Sequence, residues 1–199
     1  MHIHKFFPKV VAEYNDVCSD RIPAMIAECE ELSKNCGTRS STSLNVNSSH
    51  TSIQTIHRLP AFKPLAKQIL EHAREFIDEY GYYEVLKERV FITNMWFNIS
   101  DKGNYLYPHT HPGTKFSGAY YLESHPDHTI CFHDMFRTIL EQPMRPTELG
   151  TDVRILPCTP GTMYLFHSDF VHSVAQQNQD CRKIVISFNI SFKDGPEMR

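Results

Sequence analysis

At Gly81 the hydrophobic period of this chain changes, and that single change constrains the fold more than any other feature. Before it, Phe62, Leu65, Ala66, Ile69, Leu70, Ala73, Phe76, Ile77 and Tyr80 recur at spacings of three and four, while Lys63, Lys67, Glu71, Arg74, Glu75 and Asp78 take the opposite face. This is the stripe of an amphipathic helix closed by a glycine. After it, Val90–Ser100, Lys115–Glu123, His128–His133, Asp152–Leu156, Thr162–His167, Phe170–Ala175 and Arg182–Phe192 are short runs rich in β-branched and aromatic residues, separated by Gly, Pro, Asn and Asp. No repeat of about 20 to 50 residues is visible, which excludes a propeller or solenoid. Two helices followed by seven or eight short strands predict a mainly β (α+β) chain with helices packed on a sandwich or barrel, the jelly-roll being the commonest arrangement of that many strands.

The other helix is expected over Asp20 to Leu32, where Ile22, Met25, Ile26, Cys29 and Leu32 sit at partly helical spacing, Asp20 offers an N-cap and Pro23 falls in the first turn. Asn35 to Ser52 is Ser, Thr, Asn and Gly with almost no large apolar residue, and reads as an extended surface loop. At 199 residues one domain is expected over 1–199, with a helical part at 1–81 and a jelly-roll core at 82–199.

Composition removes several function classes. A formal net charge of −3 without a basic run argues against a nucleic-acid or membrane-surface partner. The six cysteines have no C-x-x-C pair, and Met1 to Pro8 lacks the apolar run of a signal peptide, so reduced thiols in a cytoplasm are expected. No G-x-G-x-x-G, P-loop or G-x-S-x-G signature occurs.

Twelve histidines remain. At that density about 0.7 H-x-H pairs arise by chance, so spacing alone says little. The most polar cluster is Asn104-Tyr105-Leu106-Tyr107-Pro108-His109-Thr110-His111-Pro112-Gly113-Thr114, expected as a loop between two strands. In an extended segment His109 and His111 project to one side and can face one ion. A second cluster, Phe166-His167-Ser168-Asp169-Phe170-Val171-His172-Ser173-Val174, lies some sixty residues on and offers a third ligand.

The order of motifs adds specificity. Trp96-Phe97-Asn98-Ile99, Gly103-Asn104, His109-x-His111-Pro112, Ser117-Gly118-Ala119-Tyr120-Tyr121-Leu122, Phe132-His133-Asp134, Pro160-Gly161 leading to Leu165-Phe166-His167-Ser168-Asp169-Phe170-Val171-His172, and Ile186-Ser187-Phe188-Asn189 together resemble the 2-oxoglutarate and iron(II)-dependent oxygenases common in phages and marine bacteria. Phe7-Pro8 and the helix before Gly81 extend the likeness over nearly the whole chain. The resemblance implies a double-stranded β-helix, Fe(II) and 2-oxoglutarate as cofactor and co-substrate, O2 as oxidant, hydroxylation of an unidentified substrate with release of succinate and CO2, and a cytoplasm, a host's if the chain is phage-encoded.

By position the resemblance makes His109 the first metal histidine and His172 the distal one. His111 stands where the superfamily usually has Asp or Glu, and three imidazoles leave an Fe(II) site at about +2 where a carboxylate would leave about +1. A carboxylate from elsewhere is the alternative, Asp134 first and Asp169 second, Asp134 otherwise serving to orient a ligand imidazole. The distal carboxylate of 2-oxoglutarate needs a cation near the start of the last strand, which points to Arg182 or Lys183. They face opposite sides of that strand: the family's register favours Lys183, and bidentate carboxylate recognition favours Arg182. Ser187 and Tyr121 are candidate hydroxyl donors to the same carboxylate, and Asn98 a candidate donor to substrate or co-substrate. Residues 35–60 and the stretch from Met135 to Asp152 are the expected substrate wall or lid. Two rival readings stand beside this one: a three-His iron dioxygenase that needs no 2-oxoglutarate, and a non-catalytic jelly-roll, such as a virion protein, with a closed metal site.

Overall fold

In the computed structural model, residues 9–39, 43–82, 84–135 and 151–193 are described. Three helices, α1 (Ile22–Ser33), α2 (Lys63–Glu79) and α3 (Glu84–Arg89), and twelve strands follow one another along them. Before α2 come β1 (Val11–Tyr14), β2 (Thr38–Arg39), β3 (Ser43–Leu44) and β4 (Val46–Ser48). After α3 come β5 (Val90–Ser100), β6 (Tyr105–His109), β7 (Phe116–Glu123), β8 (Thr129–His133), β9 (Val153–Pro157), β10 (Met163–His167), β11 (His172–Val174) and β12 (Lys183–Phe192). They form two sheets, a seven-stranded one in the order β1-β10-β7-β12-β5-β4-β2 and a five-stranded one in the order β3-β6-β11-β8-β9. The pairings between these strands are antiparallel.

The period-two alternation of the seven-stranded sheet separates two apolar clusters. Ile184, Ile186, Phe188 and Ile190 of β12, with Met95 and Phe97 of β5 and Phe116, Tyr120 and Leu122 of β7, join Leu65, Ile69, Ala73, Phe76 and Ile77 of α2 in the larger core. Val185 of β12 and Ala119 and Tyr121 of β7 point the other way, against Ile130 and Phe132 of β8 in the five-stranded sheet. The site lies on this second side. In β5 the register against β12 shifts between Asn189 and Ile190, the signature of a bulge at Thr93, whose hydroxyl donates to Asn189 O at 3.1 Å. The extra residue puts Trp96, Asn98 and Ser100 opposite Ser187, Val185 and Lys183.

Helix α2 stops as its sequence requires. Gly81 takes φ +67°, and the N–H groups of Gly81 and Tyr82 return to Asp78 O and Ile77 O at 2.8 and 3.3 Å, a Schellman closure that needs a left-handed residue. Gly118 answers a different need, because a Cβ there would sit 2.2 Å from Phe188 Cζ.

Three expectations are corrected. Asp20 does not cap α1: it lies in a 3-10 turn over Ser19–Arg21, and the N-cap is Arg21. The segment Asn35 to Ser52 is no surface loop where it is described, since it supplies three strands and buries Val46, Ser48 and Ser49. Its hydroxyls can go inside because each has a partner: Ser48 Oγ donates to Phe97 O at 3.1 Å and Asn98 Oδ1 at 2.7 Å, and Ser49 Oγ accepts from Phe97 N–H at 3.2 Å. Tyr105–His109 is a strand rather than a loop, held between β3 and β11. Phe7-Pro8 and residues 136–150, most of the expected wall or lid stretch from Met135 to Asp152, lie outside the described residues.

Candidate metal centre and its cleft

Strands β6 and β11 bring the distant histidines together. His109 and His172 are direct cross-strand partners, and His111 follows β6 in a turn pinned by its own N–H to Ser168 O at 2.9 Å. One ring nitrogen from each of the three lies within 4.8 Å of the others. His109 Nδ1 is 2.7 Å from Tyr107 O and His172 Nδ1 is 2.9 Å from Phe170 O. A carbonyl only accepts, so in both rings the proton sits on Nδ1 and the lone pair on Nε2, the tautomer a metal ligand needs. His172 is 6% exposed, and burial pushes its pKa down to about 3, helped by the neighbouring His109 and opposed by Phe170 O. It is therefore neutral at pH 7. His111 Nε2 lies 3.2 Å from His172 Nε2, with the two rings nearly parallel. Two nitrogens each about 2.1 Å from one ion, at adjacent positions, lie roughly 3.0 to 3.4 Å apart. The donor set fits a divalent metal.

The cleft beside these rings lies between the two sheets. It is lined on the seven-stranded side by Trp96, Asn98, Ala119, Tyr121, Lys183 and Ser187, and opposite by Leu106, Ile130 and Val174. Lys183 is 3% exposed, and its Nζ is buried with no hydrogen-bond partner among the described residues. Burial lowers its pKa below the ordinary value. Arg182 faces the other way and does not line the cleft. Its guanidinium holds Glu123 through Nε at 3.2 Å and a terminal nitrogen at 2.6 Å, and Glu30 at 2.6 Å, so its donors are occupied by this ion-pair network. Asn98 and Ser187 bind each other, Nδ2 to Oγ at 3.1 Å. Tyr121 is 2% exposed, its hydroxyl bonded to Cys158 and its pKa raised by burial.

Neither expected carboxylate joins the histidines as a metal-capable group among the described residues. Asp134 and Asp169 are both exposed, and neither belongs to the metal-capable group. The backbone N–H of Asp134 donates to Asp152 O at 2.7 Å, next to β9. His167, the other histidine of the second cluster, packs against the Tyr80 and Phe116 rings, at 4.7 and 4.9 Å between centroids.

A hydroxyl relay beneath His111 went unread in the sequence. Thr114 Oγ1 lies 3.0 Å from His111 O and 2.8 Å from Ser168 Oγ, which is 2.8 Å from Ser117 Oγ, itself donating to Asn189 Oδ1 at 2.8 Å. The relay ties the His111 turn to β7 and β12, fixing one ligand against two central strands. The signal available was Ser117 and Asn189, polar residues in otherwise apolar strands.

Residues 94–189 match the family described as "Putative 2OG-Fe(II) oxygenase". The match spans 96 of the chain's 199 residues, and over that segment the chain is similar to that 2OG-Fe(II) oxygenase family. Solved structures of similar shape span most of it. A prolyl-4-hydroxylase from Pseudomonas putida matches with a TM-score of 0.61 at 11% identity, covering 94% of each chain. HygX from Streptomyces hygroscopicus, with nickel, 2-oxoglutarate and hygromycin B bound, gives 0.65 at 14% identity over 96% of this chain and 86% of its own. The viral collagen prolyl hydroxylase of Paramecium Bursaria Chlorella virus-1 gives 0.57 at 13% identity over 90% and 94%. At such identities the likeness is one of fold, consistent with a double-stranded β-helix. No curated protein matches the sequence. No helix among the described residues is long and apolar enough to cross a membrane.

Proposed function

We propose that this chain is a single-domain non-haem iron(II) oxygenase with 2-oxoglutarate as co-substrate, its two sheets forming a double-stranded β-helix. His109, His111 and His172 are its metal ligands, and Lys183 receives the distal carboxylate of the oxo acid. The observation that carries the reading is the buried, unpartnered Lys183 ammonium in the same cleft as the three imidazoles. An uncompensated cation inside a protein is costly, and a carboxylate ligand removes the cost. The family match and the 2-oxoglutarate bound in the similarly folded HygX support it.

The reaction proposed is R–H + 2-oxoglutarate + O2 → R–OH + succinate + CO2. Bound iron(II) would supply the activation of O2 that no side chain provides. The chain's own residues do the rest. Tyr107 O and Phe170 O hold the His109 and His172 rings in the ligating tautomer, the Thr114–Ser168–Ser117–Asn189 relay holds the His111 turn, and Lys183 orients the oxo acid. Leu106, Ile130 and Val174 keep one wall apolar, which strengthens the Lys183 contact by excluding water.

A second reading has its own observation. A ligand set without a carboxylate is that of the three-His iron dioxygenases, which cleave C–C or C–S bonds without an oxo acid, and it leaves Lys183 without a role. Anaerobic titration of the Fe(II)-loaded protein with 2-oxoglutarate separates the two. A visible metal-to-ligand charge-transfer band that requires both components and weakens in Lys183→Ala and His111→Ala supports the oxo-acid reading. Bound iron without a band in the wild type transfers support to the second.

A further inference from the structure

Two donors that line the cleft are buried with no hydrogen-bond partner among the described residues, and Lys183 is only one of them. The other is Trp96 Nε1. Trp96 is 1% exposed and lines the same cleft. Its ring centroid lies 5.8 Å from that of His111, and the His50 ring packs against it at 4.8 Å and 77°, which fixes the indole in place. A buried indole N–H without an acceptor is a standing penalty on the fold, and such groups in native proteins call for an explanation. The nearby polar groups are engaged elsewhere: Asn98 accepts from Ser48 Oγ through Oδ1 and donates to Ser187 Oγ through Nδ2.

Register gives the spacing of the two orphan donors. Trp96 stands directly opposite Ser187, and Lys183 lies on the same face of β12 opposite Ser100. Four residues of strand separate the two rows by roughly 13 Å of backbone, a gap the lysine side chain shortens. Lys183 thus marks one end of the cleft, and Trp96, beside His111, marks the metal end. A ligand that satisfies both has an anionic acceptor at each end.

We propose that Trp96 is a co-substrate-binding residue, its Nε1–H donating to the carboxylate that the oxo diacid places at the three-histidine end. This rests on the oxo-acid reading above and deepens it. The donor also distinguishes the two ends chemically. Lys183 offers a full charge to the distal carboxylate, whereas the indole offers one neutral, directional hydrogen bond that orients the reacting carboxylate without adding positive charge beside the metal ligands.

Trp96 is the only tryptophan of the chain, so the nitrogen–proton correlation spectrum of the labelled wild-type protein contains a single indole resonance. The protein is loaded with Zn(II) as a diamagnetic stand-in and titrated with 2-oxoglutarate, and binding is followed independently by calorimetry. The indole proton is expected to move downfield and to exchange more slowly with water, saturating at the calorimetric Kd. Saturable calorimetric binding with an unmoved indole resonance overturns the Trp96 assignment and leaves Lys183 standing. Absence of binding overturns both. In Trp96→Phe, which keeps an aromatic ring and removes the donor, the Kd for 2-oxoglutarate should rise roughly 10- to 100-fold, and an unchanged Kd likewise overturns the assignment.

Discussion

Replacing Lys183 by Met should move stability and binding in opposite directions. Methionine fills nearly the same volume without the ammonium. The Lys183 Nζ is buried with no hydrogen-bond partner among the described residues, and leaving such a group uncompensated costs about 1–3 kcal/mol. Lys183→Met removes that cost, so the metal-free protein should gain about 2 kcal/mol, which for a chain of this size is roughly 4 to 8 °C in Tm. Binding of 2-oxoglutarate loses a charge-assisted hydrogen bond worth about 1.5–3 kcal/mol, a weakening of roughly 10- to 150-fold.

The pH dependence follows from the same burial. Burial lowers the Lys183 pKa from its ordinary 10.5, so between the lowered value and 10.5 the unfolded chain binds more protons than the folded one. The stability of the wild type therefore rises with pH through that window, and the advantage of the variant shrinks there. Binding of the diacid needs the ammonium and weakens over the same rise. Differential scanning calorimetry on the metal-free proteins and isothermal titration with 2-oxoglutarate on the metal-loaded ones give both signs. A variant less stable than the wild type without ligand, or one that binds 2-oxoglutarate equally well, refutes the reasoning.

Arg182→Ala should leave the Kd for 2-oxoglutarate unchanged in the same titration, because Arg182 lies outside the cleft on Glu123 and Glu30, and should cost only about 0.5–1 kcal/mol in urea unfolding, as a partly exposed ion pair does. Gly118→Ala places a Cβ 2.2 Å from Phe188 Cζ and 2.6 Å from Tyr164 O; urea denaturation should show a loss of about 2 kcal/mol or more, since a backbone oxygen cannot swing aside. His128 is buried and held at about 4, below its ordinary 6.5, first by burial and then by Lys183, so the stability it protects is complete above 6.5 and is lost as pH falls toward 4. Its Nδ1 accepts the His125 N–H at 3.1 Å, a bond Gln can replace, and His128→Gln should flatten the acid limb of the Tm-against-pH curve.

The parts of the fold legible in the sequence were those with long, unbroken periods. Helix α2 and strand β5 carry them, and Val90–Ser100 begins and ends where the pattern does. Strands β2, β3 and β4 have two or three residues each, too few for a period, and their polar composition mimics exposure because Ser48 and Ser49 satisfy their hydroxyls on β5 rather than in water. The same limit applies to the site. Alternation separates Arg182 from Lys183, yet both faces of β12 are buried, one against α2 and one against the five-stranded sheet, so the pattern alone does not tell which face holds the cleft. The His109–His172 pairing is a property of antiparallel register between β6 and β11, and β6 itself reads as loop because Pro108 and the polar residues around it break the strand pattern. Orphan donors such as Trp96 Nε1 have no sequence signature, since only the packed interior decides which buried groups are left unpaired.

Charge ties these features together. Among the described residues that line the cleft none is acidic, while Lys183 contributes one positive charge and a divalent ion on three neutral imidazoles would contribute about two. A cleft of that balance repels cations and holds neutral ligands no more tightly than their shape allows, but a dianion with one carboxylate at each end neutralises most of it in a single binding event. The replacement of a metal-binding carboxylate by His111 therefore need not argue against an oxo-acid co-substrate. On the function proposed above, it would shift the burden of neutralising the metal from the protein to the ligand, making the ion and the diacid mutually dependent for their affinity, and it would give a role to a buried lysine and a buried indole N–H that nothing among the described residues satisfies.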